Sequence, residues 1–227
     1  MSIWTRISQA LASLARGDSL LSLFDGFATP PERSVAFTIA VIALGAKMAK
    51  ADGQVTRDEV AAFRRVFLIA DDEADHAARV FDLARQDVAG FESYAARIGA
   101  LLKGDRQLRI DLMEGLFYIA LADGSYHSGE NTFLKRVADL IGLEPGCFAA
   151  LRARHVAPDA ADPHAILGVP PGASFDEARA AWRQLVVEMH PDGMLARGVP
   201  AEAVQLAEKR LATINAAWDA FQRMRAA

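Results

Sequence analysis

Two segments near the C-terminal end carry apolar residues at intervals of three and four positions. The apolar positions are Phe175, Ala178, Trp182, Leu185 and Met189 in the first segment, and Val204, Ala207, Leu211, Ile214, Trp218 and Phe221 in the second. This spacing places the apolar side chains along one face of a helix. We therefore expect helices over about residues 174–189 and 201–224, packed together as an antiparallel hairpin.

The connection between these two helices contains the sequence His190-Pro191-Asp192-Gly193. Proline and glycine in this connection, together with Gly198 and Pro200, favour a tight and exposed turn. The polar residues of the turn also have no place in the apolar pattern of either helix. The tripeptide His190-Pro191-Asp192 is therefore predicted to be a displayed surface at the end of the hairpin.

Helix-end signals precede the hairpin. Ser174 and Glu177 have the spacing of a capping box, in which the side chain of each residue accepts a hydrogen bond from the backbone N–H of the other. Further upstream, Asp162 followed by Pro163 predicts the start of a short helix, and Gly168 predicts its end.

The middle of the chain repeats a helix-turn-helix pattern. Residues 48–59 align with residues 119–130, and each copy contains Ala-Asp-Gly followed by a glutamate. Gly53 and Gly124 favour the left-handed conformation that ends a helix. Further helices are predicted over about residues 72–86, 91–102, 106–122 and 145–154.

The carboxylates of the two repeated turns raise the question of a metal site. They are Asp52, Glu59, Asp123 and Glu130. An EF-hand is excluded, because each turn is too short for a loop with ligands at alternate positions. A looser site for a divalent cation, pooling all four, is one interpretation. The interpretation that we favour is that these carboxylates cap helix N-termini.

Residues 1–34 are predicted to form an amphipathic arm, since Trp4, Ile7 and Leu11 fall on one helical face. One interpretation is peripheral contact of residues 1–27 with a membrane surface. The other is docking on the chain's own bundle or on a second copy, which would give a homodimer. The arm has few cations, which favours the second interpretation.

Composition bounds the class of protein. The chain has 227 residues, of which 52% are hydrophobic, and strand-forming residues are sparse, so an all-α fold is expected. The net charge of −4 argues against a nucleic-acid partner. The single Cys147 excludes an internal disulfide and fits a reducing compartment. The longest apolar run, Val35 to Ala46, is too short to cross a bilayer.

The sequence contains no arrangement typical of an enzyme. Its histidines form no cluster with the spacing of metal ligands, and no basic residue is evident beside Cys147. No glycine-rich phosphate-binding loop is present either. We therefore expect a protein that acts by binding, with a cytoplasmic location or a peripheral one at the inner face of the membrane.

The duplicated Ala-Asp-Gly turn with its following glutamate, set within a helical region over residues 35–155, resembles the TerB domain of tellurite-resistance proteins. That resemblance implies a helical bundle that binds a metal or a partner. It does not imply a particular chemistry.

Residues 164–227 resemble the J domain of DnaJ-type co-chaperones. Five features stand in the order of that family: Ile166-Leu167-Gly168-Val169, Ala173-Ser174, the run from Arg179 to Leu185, His190-Pro191-Asp192, and Ile214-Asn215-Ala216-Ala217-Trp218. The tripeptide alone would be a weak signal, but the ordered set is specific. With the TerB-like region upstream, the chain resembles the DjlA-like co-chaperones from residue 35 onward.

This resemblance implies a DnaK-type ATPase chaperone as partner, with client proteins recruited by the TerB-like region. His190-Pro191-Asp192 would signal ATP hydrolysis in the chaperone, and the cations Arg179, Arg183 and Arg197 would bind an acidic patch on it. Two features depart from the family pattern. The usual membrane-spanning first helix is replaced by the amphipathic arm, and Gly193 stands where a lysine usually follows the tripeptide.

The expected organisation is an arm over residues 1–34, a TerB-like bundle over 35–155, a linker over 156–163 and a J domain over 164–227. The alternative function is a TerB-like binding or scaffold protein, related to metals or stress, in which the J-like hairpin is accessory.

Overall fold

The structure is a computed structural model that describes residues 32–51, 90–121, 124–197, 199 and 205–226. All regular secondary structure within these residues is helical, which confirms the predicted all-α class. The helices α1 to α9 span Glu32–Ala51, Phe91–Leu101, Arg106–Ala120, Ser128–Leu140, Pro145–His155, Pro163–Leu167, Phe175–Glu188, Pro191–Ala196 and Gln205–Ala226. A 3-10 turn, Pro158–Ala160, lies between α5 and α6.

The predicted boundaries of α2, α3, α5 and α7 agree with the structure to within two residues. Several predictions lie outside the described residues. Among them are the arm up to residue 31, the turn of the first repeat after residue 51, the helix over 72–86, and Gly198, Pro200 and residues 201–204 at the start of the second hairpin helix. No described helix combines the length and the apolar character that crossing a bilayer requires.

Helix α1 lies at the centre of the N-terminal bundle. Residues 37–48 are all buried, as expected for a helix that is apolar around its whole circumference. It packs against α2, α3 and α4, and the far side of α3 contacts α5. At that contact the ring of Phe117 stacks on His155, with ring centroids 5.2 Å apart, and lies 5.7 Å from the ring of Phe148.

Two glycines have specific conformational roles in the bundle. At Gly99 the backbones of α2 and the C-terminal end of α4 come very close. A Cβ atom at this position would lie 2.9 Å from both the Cα of Ile141 and the carbonyl oxygen of Leu140. Gly124 has a φ of 85°, the left-handed conformation predicted for the turn between α3 and α4.

Helices α7 and α9 form the predicted hairpin. Trp182 stacks on Trp218 with ring centroids 5.2 Å apart, and its Nε1–H donates to Asn215 Oδ1 at 2.9 Å. The predicted capping box is present at the start of α7. The backbone N–H of Glu177 donates to Ser174 Oγ at 3.2 Å, and Glu177 Oε2 accepts the N–H of Ser174 at 2.7 Å.

The two helices of the hairpin run in opposite directions. Near the start of α7, Arg225 Nη1 donates to the carbonyl oxygen of Ala173 at 3.2 Å. Near its end, Arg210 Nη1 lies 3.4 Å from Met189 Sδ. Residues far apart along α9 thus meet opposite ends of α7, which confirms the antiparallel arrangement.

The short helix α6 connects the bundle to the hairpin. Asp162 caps its start by accepting the N–H of His164 at 2.9 Å, and Gly168 ends it with a φ of 74°. Helix α6 packs against α5 on one side and against α7 and α9 on the other. From α5, Arg154 Nε donates to the carbonyl oxygen of Ile166 at 2.9 Å. The bundle and the hairpin are therefore packed together.

Candidate functional site

The tripeptide forms the junction between α7 and α8. Met189 ends α7, and His190, in an extended conformation with φ −65° and ψ 133°, is the N-cap of α8. Pro191 occupies the first position of α8, where its missing N–H costs nothing and its fixed φ suits the helix. The local sequence thus turns the chain sharply at His190 and begins a new helix immediately.

The side chains of the tripeptide are displayed at the surface. His190 is 59% exposed and Asp192 is 88% exposed. His190 Nδ1 accepts the backbone N–H of Asp192 at 3.3 Å. In the neutral ring the proton is therefore on Nε2, so the tip offers a donor from the imidazole and an acceptor from the carboxylate. These groups can bind a partner.

Two of the predicted cations lie on the outward face of α7. Arg179 and Arg183 are both exposed and are one helical turn apart. Their spacing makes a short cationic face that leads toward the tip. Both residues are placed as the sequence predicted, and their role in binding a chaperone stays a prediction.

The third predicted cation, Arg197, is not on that outward face. Its Nε and Nη2 atoms donate to Asp111 Oδ2 at 3.1 and 3.0 Å, and Nη2 also donates to the carbonyl oxygen of Glu188 at 2.9 Å. Its side chain is only 19% exposed. The sequence predicted Arg197 as a loop cation of the partner-binding surface, but in the structure a buried carboxylate of the bundle draws its guanidinium inward.

Asp111 belongs to a group of charged side chains between α3, α5, α9 and the end of α8. We call this group the buried ion cluster, and its members are Asp111, Glu114, His155, Arg197 and Arg210. Arg210 Nη1 lies 3.5 Å from Asp111 Oδ1, and Arg210 Nε lies 2.9 Å from Glu114 Oε2 without hydrogen-bond geometry. His155 Nε2 contacts the same Glu114 oxygen. Both carboxylates are fully buried.

The two carboxylates of the cluster respond differently to burial. Burial raises the pKa of Asp111, although Arg210 and Arg197 act against it. Burial also acts to raise the pKa of Glu114. There, however, the attraction of Arg210 and His155 outweighs it and lowers the pKa to about 2. Glu114 therefore stays ionised in the folded protein at any ordinary pH.

Sequence reasoning missed this cluster, although α3 contains a signal for it. Asp111 and Glu114 are three residues apart on a helix whose other residues from 110 to 120 are almost all apolar. Two carboxylates on one face of such a helix must be paired when they are buried. Their partners, Arg197 and Arg210, lie about ninety residues away, and periodicity does not identify them.

The candidate metal ligands fall largely outside the described residues, since Asp52, Glu59 and Asp123 are not among them. Glu130 is described. It is buried at the start of α4, and its Oε2 accepts the backbone N–H of His127 at 2.8 Å. Glu130 therefore caps the N-terminus of α4, as the favoured interpretation predicted. In the part of the chain that the structure describes, no three or more metal-ligating side chains come together.

A known protein family and several known proteins resemble this chain over most of its length. The family described as Tellurite resistance protein TerB matches residues 38–153, which cover the bundle up to the end of α5. The chain therefore belongs to the TerB family, and over most of its length it is DjlA-like.

The similarity to DjlA rests on several relatives named Co-chaperone protein DjlA. The protein from Photobacterium profundum is 27% identical, over 88% of this chain and 83% of its own. The one from Vibrio parahaemolyticus is 25% identical with the same coverage, and the one from Aliivibrio fischeri is 24% identical over 87% of this chain and 82% of its own. No solved structure matches the chain significantly.

Proposed function

We propose that this protein is a DnaJ-type co-chaperone that stimulates ATP hydrolysis by a DnaK-type chaperone. The observation that carries the proposal is the exposed His190-Pro191-Asp192 tip, held at the sharp junction between α7 and α8. The tip presents a donor and an acceptor, and it is accessible to another protein. The names of the relatives supply the class of partner.

The tip acts on chemistry that takes place in the partner. Its effect on ATP hydrolysis is to favour the reactive state of the chaperone by binding that state more tightly. Arg179 and Arg183 contribute attraction to an acidic surface. Exposed charges of this kind mainly speed association and orient the partners.

The other parts of the chain have supporting roles in this proposal. The TerB-like bundle recruits client proteins or partners and so determines where the tip acts. Residues 1–27 provide peripheral membrane contact or contact with a second copy. A divalent metal held by Asp52, Glu59, Asp123 and Glu130 belongs to the alternative function, a TerB-like binding protein with an accessory hairpin.

The decisive experiment is single-turnover ATP hydrolysis by a purified DnaK-type chaperone, with and without the full chain. The wild type should increase the rate, and His190→Gln should return it to the rate of the chaperone alone. His127→Gln is the matched control, since it makes the same change at an exposed position of the bundle. Absence of stimulation by the wild type, or stimulation that survives His190→Gln, would favour the alternative binding function.

A further inference from the structure

The residues that directly precede the tip are held by two arginines. Arg197 Nη2 donates to the carbonyl oxygen of Glu188 at 2.9 Å, and Arg210 Nη1 lies 3.4 Å from Met189 Sδ. Glu188 and Met189 are the last residues before His190. The position of the tip relative to α7 therefore depends on where these two guanidinium groups lie.

One carboxylate of the bundle, Asp111, contacts both guanidinium groups, and Arg210 also lies 2.9 Å from Glu114. Asp111 Oδ2 accepts two hydrogen bonds from Arg197, at 3.0 and 3.1 Å, and Asp111 Oδ1 lies 3.5 Å from Arg210 Nη1. Asp111 lies on α3, and the two arginines belong to the hairpin. A continuous chain of contacts thus runs from the bundle through the arginines to the residue before the tip.

A glycine makes room for this arrangement. A Cβ atom at Gly193 would lie 3.2 Å from Arg197 Nη1, which is closer than ordinary van der Waals contact. The bare backbone at this position lets the guanidinium pass beside α8 on its way to Asp111. Gly193 is also the position at which the chain departs from the usual lysine of J domains, so the departure coincides with the inward course of Arg197.

The energetics of the cluster suit a positioning role better than a purely stabilising one. Burying ions costs desolvation, and well-packed apolar residues commonly stabilise a fold as well as a buried ion pair does. Here Glu114 Oε1 and Arg210 Nη2 are also buried without a hydrogen-bond partner among the described residues. What ion pairs add is a defined geometry, because charge-assisted contacts to a fixed carboxylate select one arrangement of the two surfaces.

We infer that Asp111 is a positioning residue for the tip, through which the TerB-like bundle fixes the orientation of His190-Pro191-Asp192 by holding Arg197 and Arg210. The expected effect on ATP hydrolysis rests on the proposed co-chaperone function. The role of Asp111 in orienting the tip does not depend on that function. Asp111 does not touch the partner. Its removal should leave the docking face of Arg179 and Arg183 intact. It should lower the maximal stimulation of ATP hydrolysis by the docked tip.

The test replaces Asp111 by Asn in the full chain and separates two kinetic quantities. In single-turnover assays over a range of concentrations, Asp111→Asn should lower the maximal stimulation by about fivefold or more, the lower range of typical coupling between sites. The half-saturating concentration should stay within about twofold, because the outward cationic face is unchanged. Arg197→Gln, which removes the guanidinium that Asp111 binds, should show the same pattern.

The matched control is Glu130→Gln, which also removes a buried carboxylate of the bundle, but one that caps α4, a helix that packs against α1, α2, α3 and α5. It should lower stability without lowering the maximal stimulation. Hydrogen exchange gives a second readout. Amides of residues 190–197 should exchange faster in Asp111→Asn and Arg197→Gln, with little change around Trp218.

Three results would overturn the inference: maximal stimulation at the wild-type level in both variants, an equal loss in Glu130→Gln, or unchanged exchange of residues 190–197. A different result would refute the proposed function instead, namely a wild-type chain that does not stimulate ATP hydrolysis. Hydrogen exchange would still decide the positioning role in that case, because it needs no chaperone.

Discussion

Replacing Glu114 by Gln should change the pH dependence of stability, because the charge of this residue is held by its surroundings. The carboxylate is completely buried, contacts His155 and lies 2.9 Å from Arg210 Nε. Burial opposes its ionisation, but the attraction of Arg210 and the contact with His155 outweigh burial and lower its pKa from the ordinary 4.5 to about 2. In the unfolded chain these partners are absent, so Glu114 there has its ordinary pKa.

The sign and size of the effect follow from proton linkage. A pKa that is lower in the folded state gives stability that is fully present above pH 4.5 and is lost as the pH falls toward 2. The difference in pKa corresponds to about 3 kcal/mol, of which about 1 to 2 kcal/mol should be lost by pH 3.5. Asp111 acts in the opposite direction, because burial raises its pKa. The pH dependence of the unfolding free energy of the wild type therefore combines both effects. Comparison with Glu114→Gln isolates the contribution of Glu114.

The assay is urea unfolding of the wild type and Glu114→Gln at pH 6 and pH 3.5. Glu114→Gln should be destabilised at pH 6 by about 3 kcal/mol or more, because it leaves Arg210 buried without its full charge partner. That deficit should shrink by about 1 to 2 kcal/mol at pH 3.5. Glu144→Gln is the control, since this side chain is 76% exposed and lies 3.9 Å from Arg106. A deficit for Glu114→Gln that is equal at the two pH values would refute the reasoning.

Two further predictions test the packing of the bundle and the outward face of α7. Gly99→Ala should lower the unfolding free energy by about 1 to 3 kcal/mol through steric overlap with the end of α4. Gly146→Ala, at a helix position with open space, should be neutral or stabilising in the same urea titration, and equal effects of the two changes would contradict the close approach. Replacing both Arg179 and Arg183 by Glu should raise the half-saturating concentration in the ATPase assay by about three- to tenfold, most strongly at low salt. The same reversal at Lys135–Arg136 on the bundle should have no effect, and a similar loss there would point to net charge as the cause.

Local features of this fold were predictable because their signals are local. The capping box of Ser174 and Glu177, the short helix ended by Gly168 and the turn at Gly124 each depend on residues within one turn of the chain. The hairpin followed from periodicity in the same way. The exposure of the tip was predicted as well, but the predicted turn contains a short helix, α8, that the sequence analysis did not identify, with His190 at its N-cap.

The features that were not predictable depend on contacts between distant parts of the chain. A sequence shows that Arg197 is charged but not which way its side chain points. In this structure Asp111 on α3 draws the guanidinium inward. Gly99 could not be distinguished from any other helical glycine, since its reason is the backbone of Ile141 in another helix. The buried ion cluster has the same character. Its acidic half is visible as a pattern in α3, and its basic half is not.

The placement of Arg197 changes how the cations of the hairpin should be interpreted. With the predicted loop cation Arg197 held by the bundle, Arg179 and Arg183 remain as the cations of the proposed docking face, so we expect its electrostatic attraction to a chaperone to be weak and salt-sensitive. A partner bound through so few charges gains little affinity from them. The effect of the tip must then depend more on its orientation, and that orientation is set by the carboxylate that removed Arg197 from the surface. Orientation of the tip depends on Asp111, and attraction to the partner depends on Arg179 and Arg183. Variants of Asp111 should therefore lower the maximal stimulation with little change in the half-saturating concentration, whereas charge reversal of Arg179 and Arg183 should raise the half-saturating concentration.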